Sequence, residues 1–177
     1  NLDTPYVAVV GGQIASAEEE KAAAAVGRLL GEAGAIIVCG GRGGVMAAAA
    51  RGASEIGGLV VGLLPGDDRS EAAPHLTVAL ATGLGHARNA LVVRAADVVI
   101  AIGGSYGTLS EIALALAMGK PVITLASWNL TQSNLARIGV GERRPVTAAT
   151  PEEAVSRALL ALTDQRRGED RGEDIGA

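Results

Sequence analysis

Six apolar runs recur along the first 126 residues, and they are continuous where a half-exposed strand would alternate. They are YVAVVGG (6–12), AIIVCGG (35–41), LVVGLLP (59–65), LTVALA (76–81), VVIAI (98–102) and PVITLA (121–126). Strands covered on both faces require runs of this kind. Between them lie stretches of helical period at 16–34, 44–57, 86–97 and 106–119, with a closing one at 150–165. Ser16 with Glu19 and Thr150 with Glu153 spell capping boxes at two helix starts; Gly34 supplies a stop and Pro151 fits a first turn. Strands alternating with helices predict an α/β fold. The expectation is one doubly wound, Rossmann-like domain over residues 1–166, with a mostly parallel sheet of about six strands. The end, 167–177, repeats RGED in a charged, apolar-poor stretch and reads as a disordered tail.

Composition narrows the class. At 177 residues the chain suits one domain with a continuous core. Nearly half its residues are apolar, yet aromatics make up 2% and Phe is absent, so Ala, Val, Leu, Ile and Gly must fill the interior. A net charge of −4 gives no electrostatic reason to expect nucleic acid or an anionic membrane as partner. No apolar stretch reaches the roughly 18–20 residues of a spanning helix, and no signal peptide is expected. The single cysteine, Cys39, excludes an internal disulfide and agrees with a reducing cytoplasm. A soluble, cytoplasmic domain is the expectation.

In a doubly wound sheet, ligands sit beyond the carboxyl ends of the strands. Three of those ends carry glycines: Gly11 and Gly12; Gly40, Gly41, Gly43 and Gly44 around Arg42; and Gly103 and Gly104. Glycine lets backbone N–H groups approach an anion, and a helix opening directly behind adds partial positive charge. The clusters at 40–44 and 103–107 both open helices, which makes them candidate phosphate sites. The same glycines would also suit tight strand-to-helix turns with no ligand. Standard nucleotide signatures are missing: GGQIAS (11–16) is not G-x-G-x-x-G, and the pair Gly119-Lys120 runs into Pro121 and a strand. Lys120 is thereby placed at the amino edge of the sheet and Lys21 within the first helix. Neither supplies the Schiff-base lysine of a pyridoxal-phosphate enzyme.

Lengths place two charged residues together. About ten helical residues after Arg88 span about 15 Å, and five strand residues, 98–102, span nearly the same at about 3.3 Å each. Arg88 therefore returns to the level of Gly103. Glu111 lies one turn into the following helix, and Ser105, Thr108 and Glu111 repeat at i+3 along one stripe. A guanidinium, two hydroxyls and a carboxylate then face one glycine-lined hollow. The competing reading is local, because Thr108-Leu-Ser-Glu111 also spells a capping box.

GGRGGVM (40–46), GHARNALVVRAADVVIAIGGSYGTLSE (85–111) and GKPVI (119–123) resemble the LOG ("lonely guy") family, and most closely its molybdenum-cofactor carrier-protein-like branch. The likeness covers roughly residues 6–126. It implies a doubly wound homodimer or larger homo-oligomer. It also implies hydrolysis of the N-glycosidic bond of nucleoside 5′-monophosphates to free base and ribose 5-phosphate. By the family motif P-G-G-x-G-T-x-x-E, Arg88 corresponds to the essential arginine and Glu111 to the essential acid. Gly104, Gly107 and Thr108 correspond to the phosphate-binding turn. The motif's proline is Gly103 here, its second glycine is Ser105, and the lysine that follows the family's arginine is Asn89. These departures are those of the carrier-like branch, and they leave two functions open. One is a nucleoside-monophosphate phosphoribohydrolase. The other is a non-catalytic carrier or sensor with molybdenum cofactor, or a related phosphorylated pterin or nucleotide, as cargo. No cofactor is required by either. The older "lysine decarboxylase" label gains no support from the two lysines.

The remaining polar residues add little. Asp67 and Asp68 form the one weak magnesium pair, so no metal is expected. His86 neighbours Arg88 on the ligand edge; Cys39 and Met46 read as core, and His75 and Trp128 carry no message.

Overall fold

The computed structural model of the chain describes residues 3–128, 130 and 144–172, with 166–172 as backbone only. Seven strands form one sheet: β1 (Tyr6–Gly11), β2 (Ile36–Cys39), β3 (Val60–Leu64), β4 (Val78–Ala81), β5 (Val98–Ile102), β6 (Val122–Leu125) and β7 (Val146–Ala148). Their order is β4-β3-β2-β1-β5-β6-β7, and every pairing is parallel. The helices are α1 (Ala17–Glu32), α2 (Val45–Ser54), α3 (Asn89–Ala95), α4 (Tyr106–Ala117) and α5 (Pro151–Gly172). The six apolar runs all become strands. The seventh strand corrects the expected count of about six: it is only VTA, an edge strand with two of three residues exposed, so no apolar run announces it.

The central strands show why continuous runs were needed. Val7 and Val9 of β1, with Val98, Ile100 and Ile102 of β5, face a core closed by α1, α2 and α5. Ala8 and Val10, with Val99 and Ala101, face the opposite core, closed by α3 and α4. All nine are 0–1% exposed. A polar residue at any of these positions would be buried without a partner on one face or the other.

Local signals set the helix limits. In α1 the Ser16 hydroxyl accepts from the Glu19 N–H at 3.2 Å, and the Glu19 carboxylate accepts from the Ser16 N–H at 2.7 Å. At α5 the Thr150 hydroxyl caps the Glu153 N–H, while the Glu153 carboxylate reaches one residue further back, to the Ala149 N–H. The helix expected at 86–97 begins as a 3-10 turn, Gly85–Arg88, before α3. The backbone of α5 runs to Gly172, past the boundary at 166, and residues 173–177 lie outside the described residues.

Candidate functional site

The chain leaves β1 toward β2 but leaves β5 toward β6, although β1 and β5 are neighbours. The loops diverge there and open a crevice, the switch point of a doubly wound sheet. A cavity of about 200 Å³ occupies it. The end of β1 contributes Gly11 and Gln13, and the next turn and the start of α2 contribute Arg42 and Met46. Pro65 and the 3-10 turn, with Gly85, His86, Arg88 and Asn89, close another side. The last wall is α4, through Ser105, Gly107, Thr108 and Glu111.

Arg88 and Glu111 meet inside this cavity. Their side chains are 9% and 8% exposed, and Arg88 Nη1 stands 3.8 Å from Glu111 Oε1. Room for the guanidinium comes from Gly40: a Cβ there would lie 2.7 Å from Arg88 Cζ, and closer still to its nitrogens. Gly40 thus serves the arginine instead of lining the cavity. Burial pulls the Arg88 pKa below its ordinary value, and Glu111 pulls it back. Burial pushes the Glu111 carboxyl up to about 7, against the pull of Arg88. The carboxyl can therefore hold or release a proton near neutrality. Behind the pair, the buried Cys39 thiol is pushed up to about 11 by burial and stays protonated, as a core residue.

The capping alternative for Glu111 does not hold. α4 begins at Tyr106 with Ser105 as its cap residue, and the Ser105 side chain makes no capping bond. Glu111 therefore sits in the second turn, too deep to reach back to the start. The first amides of α4 lack intrahelical acceptors, the Leu109 N–H being the one that returns to the Ser105 carbonyl. They open toward an anion together with the positive end of the helix. Thr108 Oγ1 and Arg88 Nε are buried without hydrogen-bond partners, so the cavity holds unused donors.

Of the residues expected to bind phosphate, Gly11, Ser105, Gly107 and Thr108 line this cavity. Gly40, Gly41, Gly43 and Gly44 do not; Gly44 borders a separate depression with Glu20 and His75. Gly103 and Gly104 border a neighbouring cavity of about 280 Å³ with Glu19, Ser127 and Trp128. Sequence reasoning passed over Arg42, Gln13 and Pro65 as lining residues. Arg42 was visible as the one charge inside a glycine turn. Met46 is both core, at 6% exposed, and cavity wall. Lys120 is far from all this, its ammonium donating to the Arg94 and Ala96 carbonyls at the end of α3. Among the described residues no group of three or more His, Cys, Asp or Glu could hold a metal, and no helix is long and apolar enough to cross a membrane.

A doubly wound parallel sheet with an arginine and a glutamate meeting at its switch point is the arrangement that the likeness to the LOG family implied. The chain belongs to the SLOG cluster4 family, whose model matches residues 4–155, and within the LOG family it falls in the molybdenum-cofactor carrier-like branch. It is similar to the molybdenum cofactor binding protein of the phototrophic bacterium Rippkaea orientalis, at TM-score 0.83 and 35% identity, covering 92% of this chain and 99% of that one. The Moco carrier protein of Chlamydomonas reinhardtii superposes at TM-score 0.79 with 29% identity, over 91% and 99% of the two chains. An uncharacterized protein of Archaeoglobus fulgidus is 43% identical over 119 residues, 67% of this chain and 78% of its own length.

Proposed function

We propose that this chain binds molybdenum cofactor, or a closely related phosphorylated pterin, and carries it without cleaving it. One observation bears the weight: the cavity gathers two guanidiniums and the open amides of α4, while the position of the family's lysine is held by Asn89, uncharged and bonded to Ser110. That set suits the retention of an anion. The likeness to two molybdenum cofactor proteins over nearly their whole length supports the same choice.

In this reading the cargo's phosphate caps α4 at Gly107 and Thr108, with the Thr108 hydroxyl as a further donor. Arg88 supplies charge from below, and Glu111 keeps the guanidinium in place. Asn89, where the family's lysine would stand, donates its amide to Ser110 Oγ at 3.1 Å and so adds no charge. A homodimer or larger assembly is the arrangement expected from the family.

The test is to purify the protein from cells that make molybdenum cofactor, then release and oxidise its cargo for mass spectrometry. A pterin phosphate at near one equivalent, lost in Arg88→Ala, is the expected result. A preparation free of pterin that converts AMP to adenine would reverse the reading. A hydrolase remains the second reading because of the Glu111 carboxyl, poised near 7 beside Arg88. There Glu111 would activate water or stabilise the oxocarbenium-like sugar while Arg88 holds the phosphate or the departing base, and Glu111→Ala would abolish adenine release.

A further inference from the structure

Arg42, which lines the cavity, belongs to a second arginine-glutamate pair, with Glu71 outside the lining. Arg42 Nη2 stands 3.1 Å from each carboxylate oxygen of Glu71. This pair differs from Arg88–Glu111 in every respect that governs exchange. Its side chains are 28% and 56% exposed, and its glutamate lies in the loop after β3 instead of a helix. That loop is tethered beside Arg42 by the Ala73 N–H, which donates to the Gly41 carbonyl at 2.8 Å. Arg42 spends one nitrogen on Glu71, while its Nε is buried and has no partner. A guanidinium offers five N–H donors in a planar fork, so an edge is left over. Arg42 also lines the cavity that α4 opens into.

We propose that Arg42 is a second anion-binding side chain of this cavity, with Glu71 as a resident carboxylate that holds it ready and yields to the ligand. The proposal rests on the reading that the cavity binds a phosphorylated ligand, and it names the ligand class more narrowly. The molecule carries two oxyanion groups, one for the α4 amides and one for Arg42. An exposed ion pair holds weakly, so replacing Glu71 with a ligand oxyanion costs little, and the buried Nε gains the acceptor it lacks. A charge-assisted, two-pronged contact is the stronger of the two bonds on offer.

Inorganic phosphate and pyrophosphate are the probes, titrated calorimetrically into the full chain and into Arg42→Gln, Arg42→Lys and Glu71→Gln, each checked for folding by circular dichroism. Pyrophosphate should bind the natural chain more tightly than phosphate. Arg42→Gln should weaken pyrophosphate roughly tenfold or more while changing phosphate less than about twofold. Arg42→Lys, which keeps the charge but loses the fork, should fall between. Glu71→Gln removes the competitor and should tighten pyrophosphate. Equal pyrophosphate affinity in Arg42→Gln, or weaker binding in Glu71→Gln, overturns the role of Arg42 and leaves phosphate binding at α4 standing. Failure of the natural chain to bind either probe overturns both proposals together.

Discussion

Glu19 and Glu111 begin from the same spelling, a hydroxyl residue three positions before a glutamate, and flank the same glycine turn. Glu19 closes a reciprocal cap at the start of α1, and its carboxylate also lies against Gly103, bordering the neighbouring cavity of about 280 Å³ and not lining that of Glu111. Glu111 stands on the cavity side, buried to 6% exposure and paired with Arg88. What separates them is where the helix begins. Ser16 is itself the cap residue of α1, whereas α4 starts at Tyr106, so Thr108 is already inside the helix and its glutamate is carried into the second turn. A motif of local hydrogen bonds is decided by one residue of register, and the burial of the carboxylate then decides its chemistry.

The sharpest way to break the contrast is to remove the cation from one side only. Arg88→Met should lower stability to urea by about 3–5 kcal/mol at pH 8, since breaking a buried pair strands the other charge. The double variant Arg88→Met/Glu111→Leu should regain most of that loss; a double variant as unstable as the single would mean that packing, not charge, is at stake.

Next comes pH. The folded chain holds the Glu111 proton to about pH 7, whereas the ordinary value is 4.5. Between those values the folded state binds more protons than the unfolded, so stability falls as pH rises through the window and levels off above it. The expected loss is about 3 kcal/mol. Glu111→Gln should remove this slope, while Glu19→Gln should leave it; denaturation curves at pH 5, 6, 7 and 8 decide the matter.

A smaller effect is expected at Gly40. Its Cβ would collide with the Arg88 guanidinium, so Gly40→Ala should cost about 1–3 kcal/mol by overpacking and should abolish phosphate binding by displacing the arginine. At Gly107 a Cβ meets nothing within 4 Å, and Gly107→Ala should leave the fold intact. The mildest change is on the Glu19 side. Ser16→Ala should cost about 1 kcal/mol in thermal or urea unfolding and leave ligand affinity unchanged, because neither Ser16 nor Glu19 lines the cavity.

Much of this was legible in the chain. Continuous apolar runs marked the strands, five of them largely covered on both faces and the sixth, 76–81, becoming the exposed edge strand β4. Matching the rise of a helix to that of a strand was enough to bring Arg88 and Glu111 to one place. The sequence was silent on β7, three residues long with two of them exposed. In the glycine turn at 40–44 it did not show what packs behind. The glycines looked like the anion cradle, but Gly40 is small so that Arg88 can pass, and the turn's contribution to the cavity is the side chain of Arg42. Which side of a turn faces a ligand depends on what packs behind it, and that comes from residues nearly fifty positions away.

Trp128 carries no chemistry of its own, yet its indole N–H donates to the Ser105 carbonyl at 3.2 Å and its ring lies 6.1 Å from that of Tyr106. It is also the chain's one tryptophan. Tryptophan emission therefore issues from a single place, fastened to the start of α4, and a change in that emission on adding phosphate is the expected sign of a guest at those amides. Occupancy of the cavity would then be read optically, without a label.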